Sequence, residues 1–124
     1  PYPEVPDTGS GLDDLSSMMK QIVRYGLTDR NRCLFGCMML ARSRHPELAD
    51  AMKARIIAPR RARGRRLLQR AVDRGELPVG TSFELMLDMV FGPILVRHAR
   101  GDLLSPEAAE TLVAAVWSGM GGRS

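Results

Sequence analysis

Cys33 and Cys37 stand four residues apart, so a helix would bring both thiols to one face. Two thiolates could hold a soft metal with help from His45 or His98, or cycle as a redox pair. A closed site needs four ligands at recognisable spacing, and these are absent. A Cys on an apolar helical stripe is more often small core filler. Methionine offers softer chemistry. Met18, Met19, Met38, Met39, Met86 and Met89 fall within three apolar runs, and flexible, polarisable thioethers can line an adaptable hydrophobic pocket. Ordinary core packing accounts for any one of them equally well.

Asp7-Thr8-Gly9-Ser10 matches the signature with which aspartic proteases pair two carboxylates across a dyad. That chemistry also needs a β-rich scaffold to present the loop. Here the tripeptide follows Pro3, Glu4, Val5 and Pro6 and runs into a helical pattern, so a turn before a helix N-terminus is the plainer reading. No Gly-rich phosphate loop, paired-carboxylate spacing or nucleophile elbow occurs. The residues imply no catalysis, cofactor or metal.

The 124 residues carry a net charge of +4, with 44% apolar and 26% charged residues. That is one globular domain's length and composition. Arg outnumbers Lys sixteen to two, and eight Arg lie between Arg55 and Arg74. Such a cluster invites a nucleic-acid reading. It alternates, however, with a helical apolar stripe (Ile56, Ile57, Leu67, Leu68, Ala71, Val72), and aromatic residues are only 5%. A solvated helix face is the better reading. Two cysteines make no disulfide framework, so a reducing, cytoplasmic setting is expected. No apolar run is long enough to span a membrane, and no signal peptide opens the chain. The chain begins at Pro1 rather than Met, as a fragment, a mature piece or a separately expressed domain is expected to do.

Periodicity and punctuation then read as about six helices. Residues 1–9, with three prolines, form an extended leader. Ser10 and Asp13 suggest a capping box for a first helix carrying Leu12, Leu15, Met19 and Ile22, with Gly26 as its stop. Thr28 and Asp29 start a second, in which Leu34, Cys37, Met38 and Ala41 share a face. Pro46 suits the first turn of a third, carrying Leu48, Met52 and Ile56. Pro59 either kinks that helix or opens a fourth, which stops at Gly75. After a loop of Leu77, Pro78, Val79 and Gly80, Thr81 and Glu84 make a capping box for a fifth helix reaching about Arg100. Ser105 and Pro106 open a sixth, ending near Gly119. No strand-length alternation appears, so the fold class is all-α.

The fifth helix is apolar on every side (Phe83, Leu85, Met86, Leu87, Met89, Val90, Phe91, Ile94, Leu95, Val96). A helix of that kind must be covered all round, which a small chain rarely achieves alone. In the sixth, Ala108, Leu112, Val116 and Met120 form one stripe and Ala109, Val113 and Trp117 another. Gly92, Ala114, Ala115 and Gly119 permit close approach of helices. A four-helix interface with a second copy accounts for this surplus; central helices of a monomeric bundle are the alternative.

Several segments together resemble the regulatory domain of TetR-family transcriptional repressors. They are Asp7-Thr8-Gly9-Ser10 with Asp13-Asp14-Leu15, His45-Pro46-Glu47-Leu48, and Arg70-Ala71-Val72-Asp73-Arg74-Gly75-Glu76-Leu77. The fullest is Leu87-Asp88-Met89-Val90-Phe91-Gly92-Pro93-Ile94-Leu95-Val96-Arg97, followed by Asp102-Leu103-Leu104-Ser105. The resemblance covers nearly all of residues 7–119. It implies a helical bundle over residues 10–120 that binds a small hydrophobic effector and dimerises through its last two long helices, about 82–99 and 105–119. The pocket would lie among helices beginning near Ser10, Thr28, Pro59 and Ser82, and Cys33, Cys37, Met38, Met86, Met89 and Phe91 are expected to contribute to it. For the dimer seam the expected residues are Val90, Ile94, Arg97, Leu112, Val116 and Gly119. Relatives carry an N-terminal helix-turn-helix module of roughly fifty residues, for which these residues leave no room before Ser10; DNA is expected to be contacted only through such a module. Effector binding would shift the population between DNA-competent and incompetent dimers. A thiol- or metal-sensing regulator using Cys33 and Cys37 is the alternative, and a protease based on Asp7 a remoter one.

Overall fold

The computed structural model describes the backbone of residues 4–25 and 29–123, and their side chains outside 25–35. Its elements are α1 (Gly11–Tyr25), α2 (Asp29–Arg44), α3 (Pro46–Met52), a π turn (Lys53–Ile57), α4 (Ala58–Asp73), α5 (Phe83–Arg100) and α6 (Pro106–Gly119). The fold is all-α, with no strand among the described residues.

Helix boundaries follow local chemistry. Ser10 Oγ accepts from the Asp13 N–H at 3.3 Å, and Ser105 Oγ from the Ala108 N–H at 3.1 Å. Each serine satisfies a donor that lacks an intrahelical partner. α4 ends in a Schellman arrangement: Gly75 at φ +79° donates to Val72 O, and Glu76 N–H reaches Ala71 O. The start of α5 departs from the expected capping box. Ser82, not Thr81, is the N-cap, accepting from Leu85 N–H, while the Thr81 hydroxyl donates to Pro78 O at 2.6 Å. Glu84 cannot fold back to complete the box because Arg61 and Arg65 of α4 hold its carboxylate at 2.7 and 2.6 Å. Charge-assisted bonds of that kind outweigh a neutral capping bond. The expected stops and starts at Gly26 and Thr28 lie outside the described residues.

Pro59 does both things its sequence position allows. It occupies the first turn of α4, and the chain before it widens into the π turn, where Ala58 N–H bonds to Lys53 O five residues back. The third helix faces inward through Ala49, Met52 and Ile56, whereas Leu48, expected on that face, is exposed.

The hydrophobic core is drawn from α1 (Leu15, Met18, Met19, Val23), α4 (Leu67, Leu68, Ala71), α5 (Met86, Leu87, Val90, Ile94) and α6 (Ala109, Val113, Trp117), with Leu77 and Leu104 from loops. Within it, α1 packs most extensively on α6 and also on α4. α2 packs chiefly on α3, and α3 continues through the π turn into α4.

The expected leader is not free of the bundle. Val5 packs on the core, Arg70 donates to Pro6 O, and Thr8 donates through its N–H and its hydroxyl to Asp14, at 3.0 and 2.6 Å. Asp14 is fully buried and is made tolerable there by those donors.

Candidate functional site

Two regions were singled out by residue type, a ligand pocket and a dimer seam. On the pocket side, Met86 is wholly buried in the core, Phe91 packs against it half-buried, and Met38 and Met89 are also half-buried. Cys37 is exposed, although it was expected to share a face with Met38 and Ala41. α2 meets α3 at its C-terminal end, where Ala41 and Ala49 are buried and Arg42 pairs with Asp50 at 2.7 Å. Cys37 lies a turn before that contact and stays in solvent. The side chain of Cys33 lies outside the described residues. His45 is the exposed N-cap residue of α3, and His98 lies in the last turn of α5. Among the described residues, no three His, Cys, Asp or Glu side chains come together as a metal-binding group. An open hollow of about 530 Å³ lies at the α2–α3 corner. Its lining residues Arg44 to Leu48 are all exposed, so it encloses no apolar ligand.

The seam residues divide. Val90 and Ile94 are 0% and 5% exposed within the single chain. Both belong to the chain's own core, so little of their area is left to meet a partner. Arg97, Leu112 and Val116 are half-buried, and Gly119 is exposed. The surplus apolar surface of α5 appears at Leu85, Leu95 and Val96 instead, with Val96 57% exposed. Leu85, Met89, Gly92, Val96 and Ala99 recur at alternating steps of four and three residues, forming one stripe along α5. Ala108, Leu112, Ala115 and Gly119 do the same on α6. A Cβ added at Gly92 or Gly119 would meet nothing within 4 Å in the single chain, so both stripes have open space at their glycines, although Ala108 and Leu112 pack on the chain's own core. Sequence reasoning did not single out Leu95 as exposed, because apolarity all round a helix does not reveal which side its own chain covers.

The Asp7-Thr8-Gly9 tripeptide is engaged structurally. The Asp7 carboxylate stands 3.6 Å from Arg74 and 3.9 Å from Arg70, and Thr8 is committed to Asp14. Beside it, the Glu76 carboxylate accepts the Gly11 N–H at 2.7 Å and pairs with Arg74. Burial works to raise the Glu76 pKa, but the Arg74 and Gly11 hydrogen bonds and the Arg74 charge prevail and hold it below the ordinary carboxylate value. Glu84 is also held low, by Arg61 first and then Arg65. These ionised groups tie helix ends together, in positions that suit architecture rather than proton transfer.

The described residues thus form an all-α bundle whose penultimate helix leaves an apolar face uncovered, an arrangement that resembles the helical regulatory domain the sequence suggests. The comparison with known families agrees. The family described as "Tetracyclin repressor-like, C-terminal domain" matches residues 5–116, and the chain belongs to it. A curated relative, the uncharacterized HTH-type transcriptional regulator YdeS of Bacillus subtilis (strain 168), is 29% identical over 117 residues. That alignment takes in 94% of this chain but 59% of the relative. Among the described residues, no helix is long and apolar enough to cross a membrane.

Proposed function

We propose that this chain is the effector-binding and homodimerising domain of a cytoplasmic transcriptional regulator, without catalytic activity of its own. In this reading a small hydrophobic molecule bound in the bundle biases the geometry of the dimer. DNA is read by a helix-turn-helix domain outside these residues. Membership of a family of regulator C-terminal domains supports the class.

The observation that carries dimerisation is the uncovered face of α5, where Leu85 and Val96 of the stripe and the neighbouring Leu95 face solvent and Gly92 has open space beside it. Apolar surface so arranged marks an interface. The seam is therefore drawn through Gly92, Leu95, Val96, Leu112, Val116 and Gly119, with Arg97 at its edge and Val90 and Ile94 supporting it from beneath. For the effector, Met38, Met86 and Phe91 supply adaptable apolar walls, while Met89 lies on the α5 stripe and exposed Cys37 stands outside them.

Sedimentation at micromolar concentration tests the reading. The expected species has twice the chain mass of 13.7 kDa. Val96→Glu places an unpaired charge in the seam, at a cost of about 3–5 kcal/mol, weakening association at least about a hundredfold. Because Val96 is exposed in the single chain, this variant stays folded, whereas a charge at Ile94 would disrupt the core itself. A native mass of 13.7 kDa for the parent chain, or an unchanged dimer in Val96→Glu, would overturn the proposed seam.

A further inference from the structure

The rod from Pro46 to Asp73 is helical throughout, yet it is built in two halves with different attachments. Beyond the π turn, α4 is fastened to the four-helix core. Arg61 bridges to Glu84 and Asp88 at 2.7 and 2.9 Å, and Arg65 bridges to Glu84 at 2.6 Å. Gly64 lies so close to α5 that a Cβ there would stand 2.6 Å from Leu87 Cδ2. Arg70 holds the backbone of Pro6. Before the π turn, the fastenings are of another kind. Arg42 pairs with Asp50 inside the α2–α3 unit. The unit's described buried residues are two alanines, Ala41 and Ala49, while Met39 is 78% exposed and Leu40 and Leu48 also face solvent.

The join between the halves is locally weak for a stated reason. Pro59 has no N–H to return to the carbonyl of Arg55, and its ring would press on that carbonyl in a regular α-helix. The π turn relieves this by lengthening the repeat over Lys53–Ile57, and none of those five residues is buried. π turns and prolines are the usual places where helices bend. We propose that this π turn, held open by Pro59, is a built-in hinge about which the α2–α3 arm moves against the core formed by α1, α4, α5 and α6. The motion changes how far α2, which carries Met38, stands from the core that carries Met89 and Phe91. α4 and the attached leader remain with the core.

Hydrogen exchange on the whole chain reads the hinge directly. The amides of Ala54, Arg55, Ile56, Ile57 and Ala58 should exchange at least about tenfold faster than those of Leu67 and Leu68. Pro59→Ala restores the missing donor and should slow the five by about tenfold while leaving Leu67 and Leu68 unchanged. A second readout uses spin labels in a Met39→Cys, Arg66→Cys variant with Cys33→Ala and Cys37→Ala, diluted with excess unlabelled chain. The expected result is a broad distance distribution that narrows on adding Pro59→Ala. Equal protection across the rod, one narrow distance in the parent, or breadth untouched by Pro59→Ala would each overturn the hinge. Native mass measured on the same samples separates the two ideas: a chain that stays monomeric overturns the dimer seam and leaves the hinge result standing.

Discussion

The two ends of α4 hold their neighbours by opposite means. At its C-terminal end, segments far apart in sequence converge on charged and buried groups. Glu76 accepts from Gly11, its backbone oxygen accepts from Arg123 at 2.7 Å, and the Trp117 indole donates to Arg123 O at 3.1 Å. Gly11 sits so close to Trp117 and Ala71 that a Cβ there would stand 2.7 and 2.8 Å from them. At its N-terminal end, the π turn joins α4 to an arm whose described buried residues are Ala41 and Ala49 and which exposes Met39 and Leu40. Stability and adaptability are thus separated along one helix, and elements drawn from the less tightly packed end are the ones suited to move.

The largest break in that contrast is Trp117→Ala. Trp117 is 2% exposed and lies against α1 and the C-terminal tail. Truncation removes its transfer energy and leaves a cavity, at a cost of about 3–5 kcal/mol. Urea denaturation followed by far-UV circular dichroism reads the loss, since the variant lacks the chain's one tryptophan.

A smaller effect comes from Glu76→Gln. It keeps the side chain's shape but weakens the bond to the Gly11 N–H and removes the Arg74 charge pairing. Loss of a helix-capping acceptor costs about 0.5–2 kcal/mol, and a retained amide oxygen puts Gln in the lower part of that range. Because the folded-state pKa of Glu76 lies below its ordinary value of 4.5, its contribution is fully present above that value. It is lost as pH falls through the depressed folded value. The parent should therefore lose stability relative to Glu76→Gln as pH drops below about 4.5, so that the two denaturation midpoints converge. Midpoints that stay equally separated from pH 7 down to pH 3 would show that the carboxylate charge is not what ties this end together.

The two ends also differ in how far the sequence revealed them. Serine caps at Ser10 and Ser105 and the stop at Gly75 are local signals, and the helices begin and end there. Pro59 was legible as a disturbance but not as a π turn, because the choice between a kink and a new helix depends on packing. Periodicity points Leu48 inward, yet it is exposed, and Thr81 reads as the cap of α5, where a contact between distant segments instead draws Glu84 to Arg61 and Arg65. The docking of residues 5–8 left no periodic trace, since Arg70 reaches Pro6 across 64 positions. The surplus apolarity of α5 was legible, but the side left uncovered was not, because only the fold shows that Val90 and Ile94 turn inward and Leu95 and Val96 outward.

The smallest expected effect is the sharpest test of the contrast. Met39→Ser removes an apolar side chain from the middle of a helix, a change that in the core would cost as much as a large-to-small substitution, about 2–5 kcal/mol. Met39 is 78% exposed, so little buried area is lost and the fold should change by no more than about 0.5 kcal/mol. If equilibrium denaturation instead shows a core-sized loss, Met39 is covered in solution. The arm would then be closed against something: its own core if the mass is unaltered, or a second copy if the destabilisation depends on protein concentration. A change within the smaller limit leaves the arm open, attached to the bundle through the π turn and free of the constraints that fix the Glu76 end.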